Sequence, residues 1–437
     1  MTAREAMPNA YVAGKGNLSP EDAALVARRE RVLGPAYRLF YETPVHLVRG
    51  EGVWLYDAEG NAYLDTYNNV ASVGHGHPRV VAAMANQAAT FASHTRYLHD
   101  AILGYSERLL ATLPAAIGHM MFTCTGSEAN DLALRIAREH TGGTGVIVTE
   151  NAYHGVTFAV SGFSPSLGPG VALGEHVRTV PAPDPARGAA AGAQFAAGVQ
   201  AAIDDLRRHG VRPAILIVDT VFSSDGVIPD PAGFLAPAVA AIRAAGGLFV
   251  ADEVQPGFGR TGAGMWGFAR HGIVPDMVSM GKPMGNGYPV AGLALRPEVV
   301  ADFGTSGRYF NTFGGNAVAA ATAGAVLDVI EDEGLIDNAR TTGAYLAEGL
   351  RDLADRYRQI GDVRAAGLFI GADIVTDGRA DARLTHRIVN DLRARRVLIS
   401  ATGRHANTLK IRPPLVFARD HAGVFLDRLE DVLKGLG

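Results

Sequence analysis

The sequence predicts an α/β fold, a parallel sheet buried between helices, and three observations carry that prediction. From about residue 70 to 330, short runs that are apolar throughout alternate with helical stretches: "VIVTE" (146–150), "AILIVD" (214–219), "LFVADE" (248–253), "DMVSMG" (276–281) and "VAGLAL" (290–295). A strand that is apolar on both sides is one covered on both faces, as parallel sheets under helices require. Runs close in acids, as at Asp252 and Glu253, and one is followed at once by Lys282; open α/β sheets build their sites at such C-terminal strand ends. Finally, 437 residues at 48% hydrophobic can bury a large core.

The elements follow in order. Residues 1–69 hold a polar leader, a helix-like "SPEDAALVARRERVLG" with Ser19 and Pro20 as N-cap and first-turn residues, and "HLVRGEGVWLYDAEGNAYLDTY", which alternates around the turn-former "DAEGN" as a hairpin does. This segment is expected to pack with the C-terminal part. Residues 70–330 form the large domain. Within it, the Ala/Gly/Pro-biased stretch 181–202 reads as a loop running into an Ala-rich surface helix. Residues 331–437 supply a helix, "IGDVRAAGLFIGADIV", a second helix and "LKIRPPLVF", an α+β set consistent with a smaller C-terminal domain.

Composition narrows the partners. A formal charge of −4 without blocks of like charge gives no reason to expect nucleic acid or an anionic membrane. The single cysteine, Cys124, excludes an intramolecular disulfide, suits a reducing compartment and is expected in the core. No apolar h-region opens the chain and no spanning stretch is present, so a soluble, cytoplasmic protein acting on small molecules is expected.

Four segments carry chemistry. In "FTCTGSEANDLALRIAREHTG", Gly126 and Ser127 precede an amphipathic helix, and small residues at a helix N-terminus leave N–H groups free for phosphate; a plain capped helix reads the same way. In "ENAYHGVT", Tyr153 and His154 follow a strand, and an aromatic there can stack on a flat heterocycle or simply pack. Asp252 closes a buried strand, where a carboxylate is costly unless paired, and a protonated ring nitrogen would pair it. Lys282 is one of only four lysines, with Lys15, Lys410 and Lys434; in a poorly solvated loop its pKa falls and it becomes a nucleophile towards aldehydes. A phosphate cradle, a stacking ring, an acid for a ring nitrogen and an amine for an aldehyde are together what pyridoxal 5′-phosphate needs. The trio Gly257, Gly259 and Gly262 matches a dinucleotide fingerprint, but no helix of a βαβ unit follows it, so a nicotinamide enzyme is rejected. His75 and His77 in "GHGHP" lack the carboxylate or cysteine pattern of a metal site, and no metal is expected.

With these segments in this order, the chain resembles the class III, pyridoxal-phosphate-dependent aminotransferases of fold type I, from "VWLYDAEGNAYLD" to "IRPPL". The resemblance implies a mostly parallel seven-stranded sheet in the large domain and a smaller α+β domain built from both termini. It further implies that Lys282 bonds the cofactor as an imine, that Asp252 partners the pyridine nitrogen, and that Gly126 and Ser127 hold the phosphate. Tyr153, with His154 beside it, and Val254 would flank the ring, and Gln255 would lie near the phenolic oxygen. Thr312 in "NTFGGNAVA" would reach the phosphate of the neighbouring subunit, which makes a homodimer the expected assembly.

The finer similarity, in "TYNNVASVGHGHPRVV", "HTRYLHD" and "RYFNTFGG", is to a branch holding both alanine-glyoxylate-type aminotransferases and amino-alcohol phosphate lyases. Amino transfer from an amine or amino acid to a keto acid or aldehyde is the first expectation. The alternative is loss of phosphate from a substrate such as phosphoethanolamine. Two departures from many class members bear on the choice: Asp219 replaces Glu in "VDTVFSSDG", and Lys410 stands three residues before the paired prolines where Arg is common, with Arg412 beside them. Lysine is a point charge without the planar fork, so phosphate or amine substrates gain weight. Arg96 is a candidate second anion contact.

Overall fold

A computed structural model describes residues 9–14 and 16–436; the first residues of the polar leader lie outside it. The expected strands form the heart of a seven-stranded sheet, in spatial order His119–Thr123, Ala291–Leu295, Met277–Met280, Leu248–Asp252, Pro213–Asp219, Gly145–Thr149 and Val177–Val180. From Met277–Met280 to Val177–Val180 every pairing is parallel. Ala291–Leu295 departs from the parallel reading and runs antiparallel to both neighbours. Too few residues separate it from Met280 for a crossover helix, so the chain can only fold straight back. Two strands escaped the sequence reading. The methionine-rich "HMMFT" does not advertise a strand, and "VRTV" is an edge strand with half-exposed positions.

Alternation along each strand sorts the core into two layers. Val146, Val148, Ile215, Ile217 and Val250 pack with Leu132 and Ile136 of the helix Gly126–Thr141. Ile147, Leu216, Phe249 and Val278 face the other way, onto Phe195 and Ile203 of Ala191–Arg208 and onto Ile242. The Ala191–Arg208 helix is therefore more than surface: Phe195, Val199, Ile203 and Leu206 form a buried stripe at helical spacing, which its alanine bias concealed.

The N-terminal hairpin is present as Leu47–Glu51, Trp54–Asp57 and Ala62–Asp65, and Val397–Leu398 joins its last strand in parallel. Ser19 caps the helix Pro20–Leu33 as its chemistry suggests. The C-terminal sheet contains Ile360–Ala366, Phe369–Thr376, Thr408–Ile411 and Ser400–Thr402. The "GFGRTG" segment is a run of turns rather than a nucleotide loop. A Cβ on Gly259 would meet Ile336 at 2.7 Å and one on Gly262 the Arg340 backbone at 2.6 Å, so these glycines admit the helix Leu335–Arg356.

Candidate active site

The strand ends converge on a cavity of about 340 Å³. Asp252 forms part of its lining, 4% exposed, with three partners. The Val254 amide donates to Asp252 Oδ1 at 3.1 Å; Oδ2 accepts from Asn130 Nδ2 at 3.0 Å and pairs with His154 Nδ1 at 2.7 Å. A buried carboxylate needs such a set, and none of the three bonds removes it from the cavity.

Lys282 comes directly after Gly281 at the next strand end, in a left-handed backbone conformation with φ of +26°. A non-glycine residue there is strained, and such strain gathers at functional sites. Its ammonium lies 6.0 Å from the Tyr153 ring centroid. Burial, then the charge of Arg412, lowers its pKa to about 8, against the pull of Asp252 and Asp219.

Gly126 and Ser127 sit in the first turn of their helix, and the cap is Thr125 rather than Ser127. Thr125 Oγ1 accepts the Glu128 amide at 3.2 Å, while the Glu128 carboxylate accepts the Cys124 amide at 2.7 Å and the Thr125 amide at 3.3 Å. This box leaves the N–H groups of Gly126 and Ser127 for a ligand, at the positive end of the helix dipole. There is no room to spare around them. A Cβ on Gly126 would come within 2.9 Å of Val254 Cγ2, and one on Gly155, whose φ is +137°, within 2.4 Å of Ser127 Oγ.

The cavity therefore fits pyridoxal phosphate: open amides in a glycine cradle for the phosphate, the backed carboxylate of Asp252 for the ring nitrogen, Tyr153 and Val254 along its walls, and the Lys282 amine. Cys124 also lines it, half-buried rather than in the core, because its strand ends at Thr123 and leaves it at the open tip.

Behind Gln255, another cavity residue, lies a second layer. Gln255 Nε2 donates to Ser223 Oγ and, at 3.4 Å, to Asp219 Oδ2, while its Oε1 accepts from Arg412 Nη1 at 2.5 Å. Arg412 Nη1 also donates to Asn69 Oδ1 at 2.9 Å, its guanidinium lies 4.4 Å from the Tyr67 ring centroid, and its buried Nε has no partner among the described residues. The side chain of Lys410, a residue 6% exposed, has neither hydrogen bond nor ion pair among the described residues. Burial, then repulsion from Arg412, holds its pKa well below the usual lysine value, with Asp219 and Asp225 opposing. Those acids are poor counter-ions, since burial pushes Asp219 up and Asp225 up to about 7.

Arg96 and Thr312 are exposed and do not line this cavity; the Arg96 guanidinium stacks 3.9 Å from the Phe310 ring centroid. His75 pairs with Asp65 at 2.8 Å and His77 with Glu333 at 3.1 Å. Asn130 was missed by sequence reasoning, although a signal existed: four residues after Gly126, it lies one turn along the same helix face.

The model of the aminotransferase class-III family matches residues 40–433. A Drosophila melanogaster "Alanine--glyoxylate aminotransferase 2-like" protein is 40% identical, covering 91% of this chain and 84% of its own. "Ethanolamine-phosphate phospho-lyase homolog 1" of Caenorhabditis elegans is 36% identical, covering 94% and 93%. Among solved structures, a phospholyase from Arthrobacter in complex with phosphoethanolamine superposes with a TM-score of 0.92 at 43% identity, covering 94% of this chain and all of that one. An amine transaminase from an uncultivated Pseudomonas species in its PLP-bound form gives 0.82 at 29% identity, covering 90% and 95%. A match spanning nearly the whole chain, over a cavity shaped for this cofactor, makes the protein an enzyme that works with pyridoxal phosphate, and it belongs to the class-III aminotransferase family.

Proposed function

We propose that the enzyme eliminates phosphate from a small amino-alcohol phosphate such as phosphoethanolamine, with Lys282 as the proton-transferring base and Lys410 and Arg412 as the anion site. The observation that carries this reading is buried, under-partnered positive charge: Lys410 without a partner and Arg412 with its Nε unpaired, both close enough to Lys282 for their charges to act on one another. A dianion compensates two such cations better than a carboxylate does, and an ammonium meets a phosphate oxygen without the planar match that a carboxylate favours. The Arthrobacter phospholyase, at 43% identity, supports the same reading.

When bound, the cofactor draws electrons from the carbon bearing the substrate amine, so that its proton can leave. Lys282, with its pKa brought to about 8, is suited to take that proton near neutral pH. Asp252, held by His154, Asn130 and the Val254 amide, would keep the ring nitrogen protonated. Lys410 and Arg412 would receive the negative charge on the leaving phosphate. Overall, substrate and water give an aldehyde, ammonia and phosphate, with no oxidant or acceptor consumed.

Amino transfer would use the same Lys282 and Asp252 but requires a carbonyl acceptor. The test is to incubate the holoenzyme with phosphoethanolamine alone. Phosphate and aldehyde released in equal amounts support elimination; no phosphate, and turnover only with pyruvate or glyoxylate present, would assign amino transfer instead.

We also propose a homodimer in which Thr312 completes the neighbouring subunit's phosphate site. Support comes from the exposure of Thr312 next to Phe313, 69% exposed, and from Leu98, 96% exposed. Light scattering at micromolar concentration that gives the mass of one chain would refute it.

A further inference from the structure

Arg260 is among the largest side chains in the molecule to be fully buried, at 1% exposure, and the chemistry above does not use it. Among the described residues its guanidinium has no carboxylate partner. Nη1 donates to two backbone carbonyls, Leu368 at 3.1 Å and Pro413 at 2.5 Å, and Nη2 has no partner among the described residues. The Leu368 amide returns a bond to the Arg260 carbonyl at 3.1 Å. The fit is close: a Cβ on Gly367 would lie 2.6 Å from the Arg260 carbonyl oxygen. Taking a guanidinium out of water without a counter-ion is expensive, and apolar packing would serve mere cohesion better.

What the two carbonyls hold explains the arrangement. Pro413 follows Arg412 directly and has no N–H of its own with which to be anchored. The Arg412 amide donates to the Thr66 carbonyl at 2.9 Å, and the Pro413 carbonyl is held by Arg260. The Arg412–Pro413 segment is thus pinned on both sides, and Arg412 Nη1 is tied to Gln255. Gln255 and Arg260 lie in the same stretch that leaves Asp252. One short segment of the large domain therefore fixes both the side chain of Arg412 and the backbone just beyond it.

We propose that Arg260 is a positioning residue for the anion site, holding the Pro413 carbonyl so that Arg412, and with it Lys410 on the preceding strand, meets a phosphate group at the right place. This rests on the reading of Lys410 and Arg412 given above. The charge of Arg260 contributes as well, since it and Arg412 act on each other, with the charge of Asp65 opposing.

The test titrates inorganic phosphate into the holoenzyme by calorimetry, for the wild type and for Arg260→Met, Arg260→Lys, Lys410→Met and Arg412→Met. Arg260→Met should bind phosphate about tenfold more weakly, and Arg260→Lys, which keeps the charge and one donor, should recover part of that loss. With phosphoethanolamine, Arg260→Met should raise KM by a similar factor while kcat and the amount of bound cofactor stay within about twofold. A purely structural role would lower the melting temperature and leave these ratios unchanged. If Lys410→Met and Arg412→Met weaken phosphate binding but Arg260→Met does not, the positioning role is overturned and the anion site stands. If none of the three does, both fall. Should Arg260→Met not yield folded protein, Arg260→Lys decides: phosphate affinity equal to wild type would overturn the proposal.

Discussion

Replacing Lys410 by methionine should make the enzyme more stable and worse at its reaction, and the two signs together are the test. Methionine matches the length and flexibility of the lysine stem. In the native protein Lys410 is 6% exposed and its side chain makes no hydrogen bond or ion pair among the described residues, so burial desolvates its amine without a partner. Burying an unpaired polar group costs about 1–3 kcal/mol by protein mutational data. Relief of that penalty, at about 2 °C per kcal/mol for a large domain, is a rise of about 2–6 °C in the melting temperature of the holoenzyme. In the opposite direction, a hydrogen bond to a charged group contributes about 1.5–3 kcal/mol. Its loss should lower kcat/KM for a phosphorylated amine by about 10- to 150-fold. An amine without an anionic group, whose reaction with the bound cofactor is followed by absorbance, should react at its wild-type rate, which separates anion recognition from a general disturbance of the site. Differential scanning fluorimetry and initial rates of phosphate release read both quantities. A fall in melting temperature, or equal losses with charged and uncharged amines, would refute the reasoning.

Gly155→Ala should displace Ser127, since the new methyl would sit 2.4 Å from its Oγ and 2.7 Å from its Cα; cofactor retained after dialysis, read by absorbance, should fall about tenfold or more. Gly104→Ala, on an open helix face with nothing within 4 Å, serves as control and should stabilise slightly, by about 0.5–1 kcal/mol. Asp225→Asn tests the buried acid, whose pKa is raised from 3.8 to about 7 by burial. A raised carboxyl binds its proton more tightly in the folded state, so its stabilising contribution is present below pH about 4 and lost as pH climbs to about 7. The wild type should therefore lose up to about 1.4 kcal/mol per pH unit relative to the asparagine variant across that window, measured as the difference in urea midpoints at pH 5, 6 and 7. A difference that does not change with pH would show that the Asp225 carboxyl does not titrate there.

The parts of the site that were legible in the sequence are those that short stretches of chain encode. A strand end followed by Lys282, a strand closed by Asp252, and small residues opening a helix at Gly126 each depend on neighbours a few residues away. The parts that were not legible join residues far apart. Asn130 reaches Asp252 across 122 positions, Arg412 reaches Gln255 across 157, and Arg260 reaches Pro413 across 153. Such contacts depend on how the C-terminal sheet is set against the large domain, which no local pattern states. The antiparallel course of Ala291–Leu295 was hidden for a related reason: an apolar run shows burial but not direction, and only the short return after Met280 decides it.

The same division explains why cofactor and reaction are unequally visible. The groups that would hold pyridoxal phosphate lie at or just past four strand ends of one sheet, so their motifs survive as contiguous words in the sequence. The groups that would choose between transferring an amine and expelling phosphate sit on the Thr408–Ile411 strand and just past it, where among the described residues the buried Lys410 has no side-chain partner and the buried Arg412 has an unpaired Nε. That property belongs to the assembled fold. A lysine on a strand is ordinarily a solvated edge residue; enclosed beside a second cation, with acids that burial has pushed towards neutrality, it becomes a reason to expect a dianion. On the proposed reading the charge on the substrate is encoded as a deficit of partners, and measuring which anions fill that deficit addresses the reaction directly.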